Sequence, residues 1–73
     1  MNAPHTKRLM INRKSLALFK YIVESYENLI QLSTLDPQQG IIELYIPQGN
    51  LKTVEKLLDK LKSEIDFTIL SDS

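Results

Sequence analysis

The serines within the body of the chain, Ser15, Ser25, Ser33 and Ser63, could act as nucleophiles only beside a base able to take the hydroxyl proton. The single histidine, His5, falls in a segment, residues 1–5, expected to be a frayed extension of the folded body. A Ser-His-acid triad in its usual form is thereby excluded. No cysteine is present, which removes disulfides, thiolate nucleophiles and thiolate metal sites together. Glu24 and Glu27 lie three apart on a helix-like stretch and could form an acid/base or metal-binding pair. Without a neighbouring histidine they read more simply as a solvated helix face. Tyr26 reads as a residue at the edge of the core rather than a catalytic phenol. His5 lacks the companions a zinc site needs, since such sites draw on three or four donors. The sequence therefore predicts no catalytic residue, no metal and no cofactor.

The charges carry more information than the nucleophiles. Nine cations balance nine acids, yet Lys7, Arg8, Arg13, Lys14 and Lys20 all precede the first acid. Glu24, Glu27, Asp36 and Glu43 then follow with no cation before Lys52. A helix starting near Lys14 would have cations at its N-terminus and acids at its C-terminus, the wrong way round for its macrodipole. One reading makes Asn12, Arg13, Lys14 and Ser15 an anion-binding site at the helix start, taking a phosphate or carboxylate. The other reading, which the sequence favours, is internal pairing with a second, antiparallel helix. Arg13 and Lys14 would then lie beside Glu64 and Asp66, and Glu24 and Glu27 would face Lys52 and Lys56.

The elements that must position these groups can be read from periodicity. Residues 7–12 suit a short strand with Leu9 and Ile11 on one face. From about Lys14 to Asn28 the apolar positions Leu16, Phe19, Val23 and Tyr26 recur at helical spacing, flanked by Leu18 and Ile22. Residues 29–35 alternate as a second strand. The stretch LDPQQG then reads as a turn, with Asp36 opening it, Pro37 presetting φ and Gly40 taking positive φ. Residues 41–46 form the return arm. Asn50 is a candidate N-cap for a helix carrying Leu51, Val54, Leu58, Leu61 and Ile65, with Leu57 alongside, and residues 67–70 supply a last strand.

The order β-α-β-β-α-β is the ferredoxin-like split arrangement. Right-handed crossovers then give an α+β sandwich: a four-stranded antiparallel sheet in the order 4-1-3-2 with two helices on one face. Its expected core is Leu9, Ile11, Ile30, Leu32, Ile42, Leu44, Ile46, Phe67 and Ile69 under the two helix stripes. A single domain over residues 6–71 is expected, with flexible ends at 1–5 and 72–73. Seventy-three residues bury only about 60% of the surface of the unfolded chain, so association is a natural remedy for a small core.

Tyr26-Glu27, Ser33-Thr34-Leu35-Asp36, Gly40, Pro47 and Glu64-Ile65 resemble the pattern of a family of small bacterial proteins known only as a domain of unknown function. Where that family shows a glycine after the Tyr-Glu pair, this chain has Asn28. The resemblance implies no reaction, so it carries over no catalytic residue. The layout is also similar to ACT-type regulatory domains, which pair through their sheets and bind amino acids at the seam. The segment Asn12-Arg-Lys-Ser15 lacks the glycine common in ACT ligand loops.

A four-stranded sheet of this topology is also the RNA-recognition platform, which needs aromatic residues on its two central strands. Here the open face offers Arg8, Met10 and Asn12 on one central strand and Ile41, Glu43 and Tyr45 on the other. One ring is a poor stacking platform, and Glu43 opposes phosphates. The sequence thus points to a non-enzymatic interaction or regulatory module, homodimeric through the open face at Met10, Leu35, Ile41, Tyr45 and Leu70 or through an edge strand. ACT-like binding of a small anionic ligand, or a protein partner, fits the same reading. An RNA accessory protein using the basic N-terminal block is the alternative. A composition of 42% hydrophobic and 25% charged residues, without a spanning run or an apolar leader, predicts a cytoplasmic protein with no membrane role.

Overall fold

A computed structural model of the protein describes residues 4–26 and 28–72. Its elements are β1 (His5–Ile11), α1 (Arg13–Glu24), β2 (Gln31–Asp36), β3 (Ile41–Ile46), a short 3-10 turn (Gln48–Asn50), α2 (Leu51–Lys62) and β4 (Phe67–Asp72). The strands form one antiparallel sheet in the order β2-β3-β1-β4, which is the expected 4-1-3-2 read from the other edge. The fold is a ferredoxin-like α+β sandwich.

Alternation along the central strands decides which face is covered. Leu9 and Ile11 of β1 and Ile42, Leu44 and Ile46 of β3 are buried, together with Phe19 and Val23 of α1 and Val54, Leu58 and Leu61 of α2. These residues form one cluster with Ile30 and Ile65, so both helices lie on the same side of the sheet. The Phe19 and Phe67 rings meet edge to face, with centroids 5.6 Å apart, and join α1 to the start of β4. That geometry is favoured by the aromatic quadrupole.

The hairpin follows its sequence signal. The Asp36 carboxylate accepts the backbone N–H groups of Gln38 and Gln39 at 3.0 and 3.2 Å, and Gly40 has φ +74°. Gly40 also accepts the Ile11 N–H at 2.8 Å. A Cβ there would stand 2.0 Å from the Ile11 carbonyl oxygen, so the position excludes a side chain by contact as well as by dihedral angle.

Several boundaries differ from the periodicity. Helix α1 stops at Glu24, four residues short of Asn28, because the chain turns through Tyr26 N–H to Val23 O and Ile30 N–H to Tyr26 O. Tyr26 is consequently 40% exposed, and Leu18 lies on the solvent side of α1. Asn50 precedes α2 but its side chain makes no capping bond; the preceding 3-10 turn occupies the entry, and the Asn50 amide reaches the Asn28 carbonyl instead. Strand β1 begins at His5 and β4 continues to Asp72, so the sheet reaches beyond both expected ends. Ile69, expected in the core, is 40% exposed.

Candidate functional site

The open face of the sheet is built by the residues that alternate with the core. Register places Thr6 opposite Tyr45, Arg8 opposite Glu43 and Met10 opposite Ile41, while Gln31 and Ser33 of β2 lie beside Tyr45 and Glu43. At the centre, an Arg8 guanidinium nitrogen donates to Glu43 Oε2 at 2.9 Å, and the Tyr45 hydroxyl donates to Glu43 Oε1 at 2.5 Å. The hydroxyl of Tyr45 and then the guanidinium of Arg8 hold the Glu43 carboxyl below the usual carboxylate range. The same bond to Glu43 raises the ionisation of the Tyr45 phenol above its ordinary value. Stabilising the carboxylate and retaining the phenol proton are two consequences of one hydrogen bond.

The residues expected on the dimer face divide into two groups. Met10 and Ile41 pair across β1 and β3, and Leu35 stands at the bulge where β2 meets the turn, so these three make an apolar row at one end of the face. Met10 and Leu35 are exposed and Ile41 is half-buried. Tyr45 lies at the other end, beyond Glu43. Leu70, exposed, occupies a second bulge, in β4 between the Leu9–Ile69 and Arg8–Ser71 pairs.

That second bulge has a consequence beneath the sheet. Strict alternation from Phe67 and Ile69 would send Asp72 to the open face. One extra residue shifts the phase, and Asp72 instead pairs with Lys7 on the helix side. Lys7 is 2% exposed, the one charged residue buried among those described. Its ammonium donates to Asp72 Oδ2 at 2.7 Å and stands 3.9 Å from Glu55 Oε2 of α2. His5 Nε2 meets the other oxygen of Asp72. The bonds from Lys7 and His5 keep the Asp72 carboxyl below its ordinary range. Sequence reasoning missed this group because the bulge cannot be read from β4 alone, although a lysine in phase with the inward-facing Leu9 and Ile11 was a visible signal.

The expected anion site is differently employed. Asn12 caps α1, its side-chain oxygen accepting the Lys14 N–H at 3.0 Å, and its carbonyl accepts the Ser15 N–H at 2.8 Å. Asn12 and Arg13 line a shallow cleft of about 440 Å³ with Gln38, Gln39 and Asp66; Lys14 and Ser15 are outside it. The expected pairing between the helices is not made: among the described residues, Arg13, Lys14 and Lys52 take part in no ion pair. They sit on exposed surface, where ordering a long side chain costs about what the pair returns. Glu27 lies outside the described residues. Among those described, no group of three His, Asp or Glu side chains is arranged to hold a metal ion, and no helix is long and apolar enough to cross a membrane.

Residues 9–65 match the family model described as Domain of unknown function (DUF4911). The chain belongs to this family. No curated protein and no solved structure matches it. The matched segment takes in β1 only from Leu9 and ends before β4, so Met10, Leu35, Ile41, Glu43 and Tyr45 fall inside it, whereas His5, Lys7, Arg8, Leu70 and Asp72 fall outside.

Proposed function

We propose that the protein is a non-enzymatic interaction or regulatory module that forms a homodimer through the open face of its sheet. The observation that carries this reading is the composition of that face, an apolar row of Met10, Ile41 and Leu35 beside the Arg8–Glu43 pair. A twofold interface must be complementary to itself, and adjacent opposite charges meet that demand. Arg8 of one protomer can turn to Glu43 of the other without leaving either charge unpaired.

The size of the face sets the strength. Four strands about 4.8 Å apart, each of about six residues rising about 3.3 Å, give roughly 400 Å² in projection. Two such faces bury at least roughly 800 Å², just under the approximately 1,000 Å² expected of specific interfaces. The dimer should therefore be reversible in the micromolar range rather than permanent. Against an RNA-binding role stands the same centre: Arg8 is neutralised by Glu43, and among the described residues Tyr45 is the one ring that the two central strands present on that face.

Light scattering and sedimentation across a micromolar dilution series test the reading. A dimer mass that falls to the monomer on dilution is expected, with Met10→Glu shifting the midpoint to at least tenfold higher concentration. A monomer at every concentration, or a dimer indifferent to Met10→Glu, removes it.

A further inference from the structure

The outer edge of strand β4 and the groove on its helix side lie away from the open face of the sheet. Strand β4 ends the sheet, so its outer backbone groups have no strand neighbour, and Thr68 through Asp72 are all exposed. It contains no lysine or proline of the kind that protects edge strands. Ile69 pairs with the fully buried Leu9 and points to the helix side, yet 40% of it is exposed. Helix α2 therefore stops short of covering β4, which leaves a groove of about 350 Å³ lined by Lys7, Glu55, Leu58, Asp59, Ile69 and Asp72. Its apolar part is Leu58 and Ile69, and its charges are three carboxylates against one ammonium. That ammonium is buried and already bonded to Asp72. At the far end Lys62 is occupied over the Phe67 ring, 5.9 Å from its centroid.

We propose that β4 and this groove bind an extended segment of another protein that carries an apolar side chain and, two residues away, a lysine or arginine. Strand addition supplies main-chain hydrogen bonds, and pockets for alternate side chains supply selectivity. Residues i and i+2 of a strand share a face about 6.7 Å apart, so an apolar side chain resting on Ile69 and Leu58 places the next one on that face beside Asp72, Glu55 and Asp59. The excess of carboxylates selects a cation there. The bulge at Leu70 limits regular pairing to the first part of β4, so the segment is short. A second copy of the chain is a poor occupant, because twofold pairing of β4 would bring two acidic grooves towards each other.

The test is a titration of the full-length isotope-labelled protein with a capped pentapeptide, threonines at alternate positions and isoleucine and lysine between them, followed by amide resonances. The expected result is saturable shifts in residues 67–72 and 55–59, at least tenfold weaker binding of the analogue with glutamate for lysine, and a similar loss in Asp59→Lys. Equal response to both peptides, no shifts in these segments, or shifts confined to β2 overturns the proposal. Concentration-dependent shifts at residues 67–72 without peptide assign the edge to a second copy and also overturn it. The inference is independent of the dimer reading: Met10→Glu, on the other face, is expected to shift the dimer midpoint and to leave peptide binding unchanged.

Discussion

Replacing Asp72 by Asn should cost far more than replacing Lys7 by Met, although the two form one ion pair. Lys7 is almost wholly buried, whereas 44% of the Asp72 side chain is exposed. At 2.7 Å and an effective dielectric of about 40, between the interior and water, the attraction is 332/(40 × 2.7), or about 3 kcal/mol. Glu55, at 3.9 Å, recovers part of it by turning inward, so Asp72→Asn should lose about 2 kcal/mol by leaving a buried ammonium poorly compensated. In a domain of this size that corresponds to a fall in Tm of about 8–16 °C. Lys7→Met removes the buried charge, fills similar volume and leaves an aspartate that water can solvate, so it should cost under about 1 kcal/mol. The double variant should resemble Lys7→Met. Urea unfolding at neutral pH, followed by circular dichroism, measures all three. Equal losses in the two single variants, or a loss under about 0.5 kcal/mol for Asp72→Asn, would refute the argument that burial of the ammonium dominates.

The lowered Asp72 and Glu43 carboxyls both stabilise the folded state above the unfolded carboxylate pKa, a contribution lost as pH falls through their folded values. The acid limb of a stability profile should accordingly flatten in Asp72→Asn, and a limb unchanged from the parent would show the carboxyl is not depressed. Glu43→Gln should return the Tyr45 phenol towards its ordinary ionisation, read as tyrosinate absorbance appearing at lower pH than in the parent. Gly40→Ala combines a positive φ with a Cβ 2.0 Å from a backbone oxygen and should lose about 3 kcal/mol or more in a denaturant melt. Gly49→Ala meets nothing within 4 Å and should instead be neutral or gain about 0.5 kcal/mol.

Short-range chemistry made much of this molecule legible in its residues. The Asp36-Pro37 turn ending at Gly40, the alternation of β3 and the stripe of α2 each depend on neighbours along the chain, and together they dictate the strand order through handed crossovers. The open face was legible too, since alternation names the residues opposite the core: Arg8, Met10, Ile41, Glu43 and Tyr45. Tertiary structure decided what those residues bond to, and it broke the interhelical ion pairs expected of Arg13, Lys14 and Lys52, because solvated charges have no obligation to meet. It also decided the fate of the strand ends. A single extra residue at Leu70 reverses the phase of β4 and carries Asp72 beneath the sheet to Lys7 and His5. A bulge is a relation between two strands, and the register of β4 against β1 exists only when the chain has folded.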